Sequence, residues 1–400
     1  MKSRRRSKEE PSIKRPLSLT SDRPVGLVLS GGGSRAAYQV GALKALSHFI
    51  KEEQFPISYT VGSSIGAINT LIFGATVKNG LSYAIEELES LWLERTFRNS
   101  FKGSPSITFL RSVKIALLKY ALNPGPHASD EAIFNPEPLM NRISTTIDKH
   151  GGLRASDRDP NLKGMAVITT IEGTERKPLL FFSGDYSITP DMMSGASFQI
   201  HKVDQLTAQH GFASAALPTV LPPVQLDIDG GDVRFVDGGI SQNIPVDPCV
   251  RMGAERIIVI DISGRYWWLN RYGEPEDTRP DWEVPAAADT FCMRPPEIFK
   301  LRNQEPLGPL LKDAVGKTTK DFISSLGATW PVFTFIRKKL GEELAYEVMS
   351  YVALHPEYSR ALIERGYDET MAVLRNKHHI EFKSAKKVLK EEEEEIHQSS

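Results

Sequence analysis

Gly62-Ser63-Ser64-Ile65-Gly66 sets a serine between two glycines at the spacing of a nucleophile elbow. Ile57 to Val61 before it read as the end of a short β-run, and Ile65 to Phe73 after it as an apolar helix. A serine on a sharp strand-to-helix turn holds its hydroxyl out of the sheet. The helix behind it offers N–H groups and a positive dipole end to an oxygen. The flanking Gly62 and Gly66 are needed because side chains there would meet the neighbouring strand and helix. Taken alone, the pentapeptide also describes an ordinary small-residue turn, so the remainder of the chain must decide.

A second candidate lies upstream. Val25 to Ser30 is a short apolar run, Gly31-Gly32-Gly33-Ser34-Arg35 follows at once, and Ala36 to Phe49 has apolar residues at helical spacing. Three adjacent glycines allow bare backbone N–H groups to converge on an anion. A phosphate loop would end in Gly-Lys-Ser/Thr, and a dinucleotide loop would read G-x-G-x-x-G; neither pattern is present. An oxyanion hole requires only donors beside a nucleophile. A parallel β-loop-helix-β unit would bring both loops to the same carboxyl edge of a sheet.

Ser64 also needs a base. Of the nine histidines, His355 beside Pro356 is the best placed, but none sits in a clear catalytic context. Asp237 leaves an apolar strand and is followed by Gly238 and Gly239. Half-buried there, a carboxylate would have its pKa raised toward that of a useful base. Asp-Gly-Gly is equally a good turn.

These residues need a scaffold. Met1 to Arg23 is polar, without periodicity, and reads as a disordered basic tail (residues 1–23) around Arg4-Arg5-Arg6. Helices are predicted over Leu81–Phe97, Ile107–Leu122 (amphipathic, with a basic side) and Pro138–Asp148. Strands follow at Met165–Ile171 and Leu179–Ser183, then a small-residue helix over Asp204–Ala216. A hairpin, Val224–Ile228 with Val233–Val236, delivers Asp237, and Arg256–Asp261 is a further buried strand. Tyr266–Pro285 looks like a surface excursion. Beyond it, helices are expected at Pro309–Leu326, Val332–Ala353 and Ser359–Arg375, and a solvated charged helix over Ile380–Glu395. The expected division is a catalytic domain at 24–265, a mainly helical extension at 266–379 and a charged tail at 380–400.

Composition sets the boundaries. The 400 residues are 40% apolar and 25% charged, with a formal net charge of -1, so no basic excess points to nucleic acid. Cys249 and Cys292 alone supply neither a disulfide framework nor a zinc pattern, which fits a reducing compartment. No run approaches the roughly 20 apolar residues of a membrane span, and no apolar signal segment follows the arginines.

The three blocks Gly31-Gly32-Gly33-Ser34-Arg35, Gly62-x-Ser64-x-Gly66 and Asp237-Gly238-Gly239, in this order, resemble the patatin-like phospholipase family. Ala213-Ser214-Ala215-Ala216-Leu217-Pro218 and Asn243-Ile244-Pro245-Val246 are similar to further stretches of that family, and the resemblance runs from about Val25 to Asp261. Ala36 departs from it, since members often carry glycine there. The resemblance implies a three-layer α/β/α sandwich with a mostly parallel central sheet, here followed by a helical C-terminal extension. It implies a Ser64–Asp237 dyad without histidine, an oxyanion hole from the N–H groups of Gly31, Gly32 and Gly33, and no metal or cofactor. Arg35 would either support the glycine loop or meet a phosphate. The activity implied is hydrolysis of lipid acyl esters, phospholipids or lysophospholipids foremost. Neutral lipid hydrolysis, acyl transfer and a silent lipid-binding scaffold are the rivals. A cytoplasmic protein docking reversibly on membranes is expected, through the basic tail and the Ile107–Leu122 helix. Oligomeric state is not legible.

Overall fold

The computed structural model describes residues 23–50, 57–103, 108, 110–111, 132–264, 282, 284, 292, 294–315, 327–377 and 381–399. Its frame is one ten-stranded mixed sheet. The strands are β1 (Val25–Leu29), β2 (Ile57–Ser63), β3 (Gly164–Ile171), β4 (Pro178–Gly184), β5 (Gln199–Lys202), β6 (Val224–Ile228), β7 (Gly231–Val236), β8 (Arg256–Asp261), β9 (Glu297–Arg302) and β10 (Lys383–Ser384). They run in the order β10-β9-β8-β1-β2-β3-β4-β5, with the β6–β7 hairpin joined to β3. The middle, β9-β8-β1-β2-β3, is parallel, and antiparallel pairs flank it.

Parallel strands covered on both faces read as continuous apolar runs, and β1 is buried along its whole length. Alternate side chains enter two separate cores. Leu27 and Leu29 pack in one, while Val28 packs in the other. The first core takes helices α1 (Ala37–Ser47), α2 (Ile65–Thr76) and α3 (Leu81–Leu93), with α4 (Glu137–Lys149) and α5 (Ala208–Ala215). The second lies beneath α6 (Val246–Arg251). Every residue of α2 is buried, as expected of a helix that is apolar on all sides. On α3 only Leu81, Ala84, Ile85, Leu88, Leu91 and Trp92 are buried, the stripe of an amphipathic helix.

The C-terminal part is helical, as α7 (Gly308–Val315), α8 (Trp330–Leu340), α9 (Glu342–Met349), α10 (Pro356–Lys377) and α11 (Ala385–Ser399). It is more than an extension of helices. Glu297–Arg302 was not anticipated as a strand, yet it pairs in parallel with β8 and buries Ile298, Phe299 and Leu301. The open edge of β8 supplies the hydrogen-bonding partner that the local pattern does not announce. The helix expected over Val332–Ala353 is broken at Gly341 (φ 98°) into α8 and α9. α10 packs against α1, where buried Tyr38 donates to Glu369 Oε2 at 2.8 Å.

The glutamate-rich end is helical, but it is not simply solvated. Glu392 is buried, accepting from Trp282 Nε1 at 2.7 Å and pairing with Lys300 at 2.7 Å. Lys300 also meets Asp261 at 3.2 Å. The basic tail lies outside the described residues except for its last residue, Arg23. Arg23 is buried and pairs with Glu255 and Glu297, rather than belonging to a disordered segment. Most of the Ile107–Leu122 helix and of the Tyr266–Pro285 excursion also lie outside the described residues. No helix among the described residues is long and apolar enough to cross a membrane.

Candidate active site

Parallel pairing of β1 with β2 sets Leu29 opposite Gly62, so the chain leaves both strands at the same level and the same edge. The glycine loop emerges from β1 and Ser64 from β2. Asp237 arrives differently. β7 runs antiparallel to the end of β3, with Val236 opposite Thr170, and the next residue reaches across to the serine. Ser64 Oγ donates to Asp237 Oδ2 at 2.6 Å.

The elbow is strained and close-packed. Ser64 has φ 52° and ψ −130°, a conformation that non-glycine residues rarely adopt. A Cβ on Gly66 would meet the carbonyl oxygens of Leu29 and Ser30 at 2.3 and 2.5 Å, so only glycine lets α2 approach β1 this closely. The turn is pinned by a residue not singled out from sequence: Ser64 N–H donates to Ser214 Oγ at 2.9 Å, and Ser214 Oγ donates to Ile168 O at 2.6 Å. Ser214 belongs to the small-residue stretch that carried the family resemblance, which was the available signal.

Asp237 is almost fully buried (3% exposed). Its Oδ1 accepts Gly239 N–H at 2.7 Å, and its backbone O accepts Thr170 Oγ1–H at 2.8 Å. Burial pushes the carboxyl up to about 6, against the lowering effect of the Ser64 hydroxyl and the Gly239 N–H. If Asp237 must be ionised to act, kcat/KM on a soluble ester is expected to climb through about pH 6 and level off above it. The same shift works against stability. The native state holds this proton more tightly than the unfolded chain between about pH 4 and 6. The group's contribution therefore declines by up to about 3 kcal/mol as pH rises through that window. A pH–rate profile flat from 5 to 7 would remove Asp237 from the role of base.

The three glycines differ in what their N–H groups meet. Gly31 N–H donates to Asn243 O at 3.2 Å and is already engaged. Among the described residues no acceptor takes the N–H of Gly32 or Gly33. Gly33 has φ 59°, and a Cβ there would meet Tyr351 O at 2.1 Å. Ser34 N–H donates to that same carbonyl at 2.7 Å.

Arg35 supports the loop; its guanidinium is not open to a ligand. It is 1% exposed, with Nε donating to Ser350 Oγ at 2.7 Å and Nη2 to Glu347 O at 2.8 Å and Glu347 Oε1 at 2.5 Å. Its plane stacks over Tyr351, 3.6 Å from the ring centroid. Glu347 Oε2 in turn accepts Gly308 N–H at 2.6 Å. The C-terminal helices thus hold the glycine loop, a relation no local pattern could disclose. Ala36, the departure from the family pattern, has φ −64° and ψ −11°, ordinary helical values that alanine adopts freely.

Ser64, Asp237, Gly32 and Gly33 line one cavity of about 340 Å³. Phe101, Phe134, Leu139, Phe212 and Leu221 give it apolar walls. No histidine lines it among the described residues; His355 lies at the start of α10, its Nδ1 accepting Glu357 N–H. Nor does any group of three or more His, Cys, Asp or Glu gather into a metal-binding cluster among the described residues.

The match to known proteins agrees with these blocks. The family model for patatin-like phospholipases covers residues 27–250. A patatin-like phospholipase domain-containing protein of Caenorhabditis elegans, ZK370.4, is 25% identical over 277 residues, spanning 69% of this chain and only 16% of that protein. Among solved structures, VipD of Legionella pneumophila aligns over 91% of this chain and 68% of its own, at 14% identity and a TM-score of 0.35. The human GIVD cytosolic phospholipase A2 aligns over 97% and 62%, at 11% identity and a TM-score of 0.43. With its family match covering more than half its length, the chain belongs to the patatin-like phospholipase family.

Proposed function

We propose that the protein is a serine acyl hydrolase that cleaves acyl esters of lipids, phospholipids or lysophospholipids foremost, through a Ser64–Asp237 dyad. The observation that carries this is the 2.6 Å Ser64–Asp237 hydrogen bond at the head of an apolar cavity. In this reading an acyl chain lies along the apolar walls and presents its ester carbonyl to Ser64. Asp237 accepts the hydroxyl proton as Oγ attacks carbon. The N–H groups of Gly32 and Gly33 receive the charge that develops on the carbonyl oxygen, each such donor being worth on the order of 3 kcal/mol. The proton passes to the leaving alcohol, and Asp237 then deprotonates a water that releases the acyl group. A fluorophosphonate probe is expected to label wild type and not Ser64→Ala; labelling of both would sink the assignment of the nucleophile.

We infer that the substrate is met at an anionic lipid surface through α8. Phe335 and Leu340 are each 64% exposed there, with Trp330 also exposed. Arg337, Lys338 and Lys339 occupy the last turn. Apolar side chains beside cations match the boundary of a negatively charged leaflet, where each cation contributes about 1 kcal/mol. The chain just before α8 lies beside the cavity: a Cβ on Gly327 would meet the Phe97 ring at 2.8 Å, and the Phe97 ring lies tilted against Phe134 of the cavity wall, 5.5 Å between centroids. Phe335→Glu with Leu340→Glu is expected to reduce sedimentation with phosphatidylserine-containing vesicles severalfold, leaving hydrolysis of a dispersed short-chain ester unchanged. Undiminished sedimentation would remove α8 as the docking face.

A further inference from the structure

Arg95 follows α3 and lines the cavity that holds Ser64. It is 5% exposed, and its buried Nε has no hydrogen-bond partner. Among the described residues neither a carboxylate nor a carbonyl takes any of its guanidinium N–H groups. Its guanidinium lies over the Trp92 ring, 4.4 Å from the centroid.

That platform is fixed. Trp92 Nε1 donates to Asn69 Oδ1 at 2.9 Å, and Asn69 Nδ2 donates to Gln39 Oε1 and Ala36 O. Arg95 is thus tied, through Trp92 and α2, to the helix that follows the glycine loop. Burial pushes the guanidinium down to about 9, and the nearby Arg142 cation pushes the same way. It still carries its charge at neutral pH.

Arg35 and Arg251 are buried too, but each has a carboxylate, Glu347 and Asp247 respectively. Arg158, also buried, leaves Nε and Nη2 unpartnered, but it does not line this cavity and its Nη1 donates to Ser183 O at 3.1 Å. A buried cation without a counter-charge is costly, and an entering anion relieves that cost. A guanidinium also suits the oxygens of a phosphate, which it can meet with two parallel N–H bonds.

We propose that Arg95 is the anion-recognition residue of this cavity, and that the ester it selects carries a phosphate close to the scissile acyl group. This rests on the reading of the cavity as the acyl-ester site and deepens it. Arg35 cannot serve in this way, being held by Glu347 and Ser350.

A binding experiment tests the assignment without depending on turnover. Octyl phosphate, octanol and inorganic phosphate are titrated into wild type and Arg95→Gln by calorimetry. Octyl phosphate is expected to bind wild type on the order of 30-fold more tightly than the variant, the scale of a lost buried charge-assisted contact. Octanol should bind both alike, and inorganic phosphate should bind wild type at least tenfold more weakly than octyl phosphate. Equal affinity of octyl phosphate for the two proteins overturns the proposal. Equal affinity of wild type for inorganic and octyl phosphate overturns its lipid part.

A kinetic arm compares a lysophospholipid with the monoacylglycerol of the same chain. Arg95→Gln should lose kcat/KM on the first by roughly the same factor and keep the second within about threefold, with Arg95→Lys intermediate on the first. Equal losses on both substrates would reduce Arg95 to a structural role. If wild type turned over neither ester and took no fluorophosphonate label, the hydrolase reading would fail separately, and the titration would still judge the anion site.

Discussion

Ser64→Ala and Asp237→Asn are each expected to lower ester hydrolysis by about four orders of magnitude or more while leaving the fold intact. Groups that act as one unit lose nearly everything when either is removed, and the two side chains here share one 2.6 Å hydrogen bond. The variants should differ in stability. Asp237 is a buried carboxylate whose ionisation above about pH 6 is opposed by burial. An uncharged asparagine of similar shape avoids that, so Asp237→Asn should match or exceed wild type in urea unfolding at pH 7. It gives up one acceptor, because one of its two terminal atoms must face Gly239 N–H and the other Ser64. Rates on a soluble ester, with circular dichroism to confirm folding, measure both effects. More than a tenth of wild-type activity in either folded variant would end the dyad reading.

Glu347→Ala should be the most damaging change outside the cavity. It strips a buried guanidinium of its carboxylate and Gly308 N–H of its acceptor. Breaking a buried ion pair from one side costs about 3–5 kcal/mol. The loss should appear in kcat as well, because the carbonyl that takes Ser34 N–H belongs to Tyr351, four positions on from Glu347. A loosened glycine loop places its donors badly at the moment charge develops, so kcat should drop more than KM rises. The double change Arg35→Met with Glu347→Leu removes both charges together and should recover part of the stability, though not the rate. Urea unfolding of the single and double variants measures this. A Glu347→Ala protein within 1 kcal/mol of wild type would refute the clamp.

The units legible in the sequence were those whose meaning is local. The β1–glycine loop–α1 and β2–elbow–α2 segments each carry their strand, turn and helix signals within about 25 residues, and two such units in succession imply one shared edge. Asp237 was legible as a residue because its hairpin is local, and the pairing of β7 with β3 accounts for where it lands. What stayed hidden depends on distant partners. Nothing in Gly31-Gly32-Gly33 tells which N–H is already taken, since the acceptor is Asn243. Arg35 reads equally as a phosphate ligand until Glu347 and Ser350 are in place. Arg95 had no signal, because its character lies in the partners it lacks. Glu297–Arg302 is too mixed in composition to read as a strand without β8 beside it.

The stretch that matches the family ends at residue 250, whereas the hydrogen-bonded sheet continues through β8 to β9 and β10. A fragment trimmed to residues 24–265 would keep Ser64, Asp237 and all three glycines, yet would expose β8 as an open parallel edge. Arg256-Ile257-Ile258-Val259-Ile260 is an apolar, strand-forming segment of the kind that recruits a second chain. Asp261 would also lose Lys300 as its counter-ion. Such a fragment would carry every motif of the family and still be inclined to self-associate by intermolecular β-pairing, so the smallest unit that behaves as one molecule extends well beyond the smallest unit that the motifs define.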